Sequence, residues 1–397
     1  MSVWNTLSLS RRAAARPKNM YVWSAICRMM PGRGRVLGVV HIRADRLCTA
    51  ESGTIDDMSE SSTGPRPGSA FFRPAGSAAA RPAAARRPAA PVGWPGAEAL
   101  RGLRLATVAA ATAAADHVGS GDPLAVDGAA VSALRSELDT LNLSGVVIAG
   151  EGEKDEAPML AAGETFGLGG TAVEIAVDPV DGTRLAAAGE PGAMVVLGVA
   201  EPGSFADIGP AYYLQKIVAG PRAPRVSVDA PFGETLAAIA AHRGVLVSEL
   251  HVAIQDRPRN AELMRIASEV GAHCDFFEHG EVERSLRVLQ PDAELDVVAG
   301  IGGAPEGLVV AAAVRALGGS MEARFAPQSR SERSRIEAHG LSVDALLGMD
   351  ELCGGRAAIL VSAVTECLIV PGSPLQAVQG KGQDARIWSW SATETSA

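Results

Sequence analysis

No apolar run in the 397 residues approaches the roughly 18 that a membrane span needs; the longest near the N-terminus, Val36 to Ile42, is short and interrupted by Gly38 and His41. The sequence therefore reads as that of a soluble protein with no membrane partner. Paired cysteines are missing too. Cys27, Cys48, Cys274, Cys353 and Cys367 are an odd, scattered set without a CxxC motif, which suggests neither a disulfide framework nor a structural zinc site and suits a reducing cytoplasm. Arg11-Arg12 has no apolar segment behind it, only Ala13-Ala14-Ala15-Arg16-Pro17, so export is not expected. Positive charge is scarce where a nucleic-acid surface would need it. The net charge is −9; residues 1–95 hold 14 Lys/Arg against 5 Asp/Glu, leaving the rest near −18 and making nucleic acid an unsuitable partner.

A 47 % apolar composition is ample for a buried core over most of the length. Residues 1–95 are the exception: rich in Ala, Arg, Pro, Ser and Gly, with the tract AAARPAAARRPAAP, they are expected to form a disordered extension. Residues 96–225 are expected to form an α+β lobe and residues 226–397 an α/β lobe. A long helix is predicted from Ala99 to Val118 on its Ala-rich periodicity, closed by Gly119-Ser120-Gly121-Asp122-Pro123, and a second from Val126 to Leu141 with Asp127 in its first turn. Apolar strands are predicted at Val146–Ala149, Ile175–Val177 and Ala193–Val199, with Tyr212–Val218 paired beside the last. Helices at Thr235–Arg243, Asn260–Val270, Val282–Leu289 and Glu306–Leu317 alternate with strands at His251–Ile254, Cys274–Phe277 and Leu295–Ala299, a pattern that predicts a largely parallel, helix-covered sheet. Ile359–Ala363 is one further predicted strand.

Acidic clusters follow two of these strands. GEGEKDEAPML, Gly150 to Leu160, brings Glu151, Glu153, Asp155 and Glu156; DPVDGT, Asp178 to Thr183, brings Asp178 and Asp181. A third strand runs into GIGGAPEG, Gly300 to Gly307, with Glu306. Ligands collect beyond the carboxyl ends of strands in such sheets, so these acids are expected in one crevice. All-oxygen donors without thiol or imidazole suit Mg²⁺ or Mn²⁺ and fit zinc poorly. A carboxylate-lined two-metal site serves phosphate chemistry, and the glycines of Gly302-Gly303 and Gly182-Thr183 offer backbone N–H groups to an anion. Taken alone, Asp127 reads as a helix-dipole or capping carboxylate.

GEGEKDEAPML, DPVDGTRLAAAGEPGA, YLQKIVAGP and GIGGAPEG, in this order over about Leu100 to Ala323, closely resemble the class II fructose-1,6-bisphosphatases of bacteria; DPxDGT also marks the wider lithium-sensitive, metal-dependent sugar and inositol phosphatases. The resemblance implies the layered α/β fold of that superfamily, a homo-oligomer (dimer or tetramer) in the cytoplasm, and hydrolysis of the 1-phosphate of fructose 1,6-bisphosphate with Mg²⁺ or Mn²⁺ in gluconeogenesis. It implies Asp127 and Glu151 as ligands of one metal, and Asp178, Asp181 and Glu306 as ligands of the other. Glu153 and Asp155 then lie at the attacking water, Asp155 as base. Thr183 holds that water or a phosphoryl oxygen, and Asp181, Gly182, Tyr213 and Gly303 line the substrate. Arg257-Pro258-Arg259 stands at the family's Lys-Pro-Arg and suits the distal phosphate.

Departures mark a diverged member. The family's GRGDK reads Gly119-Ser120-Gly121-Asp122-Pro123, without two cations, and its Asp-Gly-Asp, which holds sugar hydroxyls, reads His279-Gly280-Glu281. The region after Arg324 is shortened, and the late Ala-Thr-Gly reads Ser362-Ala363-Val364. Sedoheptulose 1,7-bisphosphate or another sugar phosphate is the alternative substrate, and a sugar-phosphate-binding paralogue without turnover is the alternative class.

Overall fold

The computed structural model describes residues 93–150 and 160–380. The chain opens with α1 (Ala97–Ala115) and α2 (Pro123–Leu138), then β1 (Leu143–Ala149), β2 (Thr165–Phe166), β3 (Thr171–Asp181), α3 (Thr183–Ala188), β4 (Met194–Ala200) and β5 (Tyr213–Ala219). It continues with α4 (Phe232–Arg243), β6 (His251–Gln255), α5 (Ala261–Glu269), β7 (His273–Phe277), α6 (Glu281–Val288), β8 (Val297–Gly303) and α7 (Ala304–Leu317). Then come β9 (Ser320–Phe325), α8 (Arg330–Ala338), α9 (Met349–Leu352), β10 (Ala357–Ala363), β11 (Cys367–Val370) and β12 (Ser373–Leu375).

Two five-stranded sheets carry the fold, one ordered β10-β4-β3-β1-β2 and the other β7-β6-β8-β5-β9. Alternation along each strand decides which layer it faces. In the first sheet Val173, Ile175, Val195, Leu197 and Leu360 point to one core with α1 and α2, while Ala176, Met194, Val196, Ile359 and Val361 point to a second core with α6 and α7. The second sheet turns Leu214, Val218, Val298 and Met321 into that same central core, and Ile217, Val252, Ile254 and Val297 toward α4 and α5. The result is five layers, helix–sheet–helix–sheet–helix, with α6 and α7 in the middle. α7 buries Leu308, Val309, Val310 and Val314 together with Ala311, Ala312 and Ala313, the all-round apolar surface of a helix enclosed on both sides.

The layered α/β expectation holds, with corrections. The sheets are mixed, not largely parallel: β1–β3, β6–β7 and β6–β8 run parallel, whereas β3–β4, β4–β10, β5–β8 and β5–β9 run antiparallel. β5 does not pair beside β4. The apolar β4 is buried along its whole length and takes β3 and β10 as its two neighbours, while β5 enters the other sheet between β8 and β9. Pro123 opens α2 instead of closing what precedes it, as suits a first-turn proline, and the Asp122 side chain caps the helix by accepting from the Ala125 N–H at 3.1 Å. Asp127 is therefore in the second turn, and the capping role belongs to Asp122. Gly300 to Gly303 finish β8. Among the described residues no helix is long and apolar enough to cross a membrane.

The central layer fits tightly. A Cβ on Gly198 of β4 would come within 2.8 Å of the Ala312 Cβ on α7. Ala312→Leu is expected to cost about 1–3 kcal/mol by overpacking, read as a lower denaturant midpoint; unchanged stability would show that α7 and the first sheet have slack between them.

Candidate active site

The acidic site forms where β3 ends beside the starts of α6 and α7. β3 runs through DPVD, so Asp178 and Asp181 are strand residues, and an irregularity in the pairing with β4 separates them. Both are buried. Asp178 Oδ1 accepts from the Val180 N–H at 3.0 Å, and Asp181 Oδ2 accepts from the Val282 N–H at 3.2 Å, in the first turn of α6. Gly182 then turns the chain with φ 81°, the left-handed region, and a Cβ there would sit 3.1 Å from the Gly192 carbonyl oxygen. Only glycine makes that turn without strain. Thr183 opens α3 and its hydroxyl donates to the Val180 carbonyl at 2.8 Å.

Glu306 lies in the first turn of α7, and a Cβ on Gly303 would strike its Oε2 at 1.8 Å, so that glycine is what gives the carboxylate its space. Glu281 and Glu283 begin α6, both buried. These acids surround Asp181. Burial first, then the negative charges of Glu306, Glu281 and Glu283, push its carboxyl from 3.8 up to about 8, with Arg284 opposing. Glu281 carries its own cation, Lys216, at 2.8 Å, and Glu283 accepts from Arg284 at 3.1 Å and from the Leu368 N–H at 2.6 Å. Among the described residues the cluster thus sets four carboxyl groups against two side-chain cations.

The described residues include no ready-made group of three His, Cys, Asp or Glu side chains able to hold a metal ion. Glu151, Glu153 and Asp155 lie outside the described residues. Even so, the donors present fit a hard divalent cation: all are carboxylate oxygens, and their mutual repulsion is what such an ion relieves. Asp127 is buried on α2, which lies against β3 and α3.

The turn that follows β6 carries the basic residues. Arg259 stacks over the Tyr213 ring at 4.7 Å and donates to the Ile301 carbonyl at 2.8 Å and to Gln255 Oε1 at 3.1 Å, which leaves part of its fork for a ligand. Arg257 donates to the carbonyls of Asp256 and Glu278, and Pro258 starts the short helical turn that carries Arg259. Gly280, with φ 81°, immediately precedes α6 as its N-cap. His279 is held below its ordinary 6.5, first by burial and then by the positive charges of Arg257 and Arg184. Sequence reasoning did not single out Lys216, Glu283 or Arg184. Lys216 was within reach, since the alternation of β5 places it on the face of Leu214 and Val218.

Buried carboxylates crowded at the end of a strand in a layered α/β fold are an arrangement suited to a phosphatase. The family described as bacterial fructose-1,6-bisphosphatase, glpX-encoded, matches residues 99–396. Fructose-1,6-bisphosphatase 1 class 2 of Escherichia coli K12 is 36 % identical over 294 residues, 70 % of this chain and 86 % of the relative. The same figures hold for fructose-1,6-bisphosphatase class 2 of Escherichia coli O6:H1 and of Shigella flexneri. The chain belongs to the bacterial fructose-1,6-bisphosphatase family.

The raised Asp181 value has a definite sign. Between about pH 4 and pH 8 the folded, metal-free protein keeps a proton that the unfolded chain releases, so this contribution to stability is complete below about pH 4 and is lost as pH rises through about 8. Thermal melting of metal-free protein between about pH 5 and pH 8 should show a decline that Asp181→Asn flattens. Equal slopes in the two proteins would show that the proton is not on Asp181.

Proposed function

We propose that this chain hydrolyses the 1-phosphate of fructose 1,6-bisphosphate, releasing fructose 6-phosphate and phosphate. The gathering of Glu306, Glu281 and Glu283 around a buried Asp181, in a chain of this family, carries the reading. Asp178, Asp181 and Glu306, with Asp127 and Glu151, would hold two Mg²⁺ or Mn²⁺ ions, which supply neutralising charge, an acidified water and stabilisation of the departing alkoxide. Thr183 spends its hydroxyl hydrogen on the Val180 carbonyl, so it turns acceptor lone pairs toward the site and can orient a water by taking one of its hydrogen bonds. Asp155 takes the proton of the attacking water as the phosphorus–oxygen bond to C1 breaks.

Arg257 and Arg259 hold the distal phosphate. Arg259 is pre-oriented by its stack on Tyr213, so little side-chain freedom is lost on binding. His279, its value held below 6.5, is neutral near pH 7 and meets the sugar as an uncharged imidazole. A second reading, sedoheptulose 1,7-bisphosphate as substrate, draws on the same segment, where the family's two acidic acceptors are changed to His279 and Glu281. The free thiols at Cys274, Cys353 and Cys367 accord with a cytoplasmic enzyme.

Purified protein with Mn²⁺ should release phosphate from fructose 1,6-bisphosphate faster than from other sugar phosphates; a preference for sedoheptulose 1,7-bisphosphate would favour the second reading, and binding without release would refute hydrolysis. Asp178→Ala should abolish metal binding and activity together. Arg257→Ala should raise KM by about 10–100-fold, the worth of a charge-assisted hydrogen bond, with kcat little changed. An unaltered KM would remove Arg257 from the phosphate.

A further inference from the structure

Lys216 lies in the middle of β5 and is 2 % exposed, an ammonium group enclosed in the central layer. Its Nζ pairs with Glu281 Oε1 at 2.8 Å and donates to the Gly303 carbonyl at 3.0 Å. Glu281 is the first residue of α6, and Gly303 is the residue on which α7 starts. One side chain thus ties together the beginnings of two helices, each of which holds part of the acidic site. The first turn of α6 supplies the Val282 N–H that Asp181 accepts. The first turn of α7 carries Glu306.

The surroundings leave this arrangement little room to shift. A Cβ on Gly302 would fall 2.0 Å from Glu281 Oε2 and 2.8 Å from Lys216 Nζ, and one on Gly307 of α7 would lie 3.8 Å from Lys216 Cδ. An enclosed lysine is costly to desolvate, and such a pair is a poor source of stability compared with apolar residues of like size. Its other attested use is to fix geometry. Glu281 stands one methylene longer than the aspartate of the motif the sequence resembles, and its carboxylate meets Lys216.

We infer that Lys216 and Glu281 are a positioning pair that fixes the separation of Asp181 from Glu306, and that Glu281 is not an acceptor for the sugar hydroxyls. The inference rests on the phosphatase reading for its kinetic arm only. Substrate binding does not need the pair; the alignment of the acids for turnover does.

Three variants test it: Glu281→Asp, Lys216→Met, and Lys216→Met with Glu281→Gln. Kinetics with fructose 1,6-bisphosphate and Mn²⁺ are read beside amide hydrogen exchange of the metal-free proteins. Since Lys216→Met alone strands a buried carboxylate and risks misfolding, the double variant, which removes both charges, carries the comparison. A positioning pair predicts that Glu281→Asp and the double variant each lower kcat on the order of 10–100-fold with KM little changed, the two losses being equal because both break one interaction. It also predicts faster exchange at 281–285 and 303–307 together, with exchange in the first sheet unchanged. Glu281→Asp that keeps kcat, or that lowers KM by restoring the aspartate, would overturn the inference in favour of a sugar contact. So would exchange that quickens at only one helix start. Should the wild type release no phosphate, the proposed function fails, while the exchange comparison still decides whether the pair joins the two helices.

Discussion

A carboxyl group buried among other carboxyl groups sets the terms for the rest of this structure. Asp181 has lost its water and faces Glu306, Glu281 and Glu283, so its ionised form is unfavourable until positive charge arrives. The fold answers part of that demand internally, with Lys216 beside Glu281 and Arg284 beside Glu283. Those two cations screen the flanks of the cluster. They leave uncompensated charge at its centre, which the proposed divalent ions would neutralise.

The backbone supports the same arrangement. α6 and α7 both begin at the site, so their first-turn N–H groups and the positive ends of their dipoles lie beside the acids. One of those N–H groups, from Val282, is already taken by Asp181. Small residues make the approach possible: Gly303 leaves space for Glu306, and Gly302 for the Lys216–Glu281 contact. Replacing either with alanine would push a side chain into a carboxylate without touching any group that reacts.

Much of this could be read from the residues in order. The apolar runs ending in Asp178 and leading to Glu306 became β3 and β8, and the Leu/Val/Ala stretch from Leu308 to Val314 became the body of the enclosed α7. Partner choice between strands was not legible, because periodicity reports which faces are buried and says nothing of which strand lies alongside. β5 accordingly looked like a neighbour of β4 and belongs to the other sheet. Asp127 is a different case, since a helix start judged three residues late shifted it into the wrong turn. Glu281 and Lys216 are 65 positions apart in the sequence, and the contact between them follows from the tertiary fold alone.

The layering also orders events during synthesis. β4 is complete by Ala200, yet one of its two neighbours, β10, begins at Ala357. Until that late strand emerges from the ribosome, the hydrogen-bonding edge of β4 has no native cover, and an open apolar edge invites pairing with other chains. Closure of the first sheet is therefore a long-range step, of the kind that slows folding and lengthens dependence on chaperones.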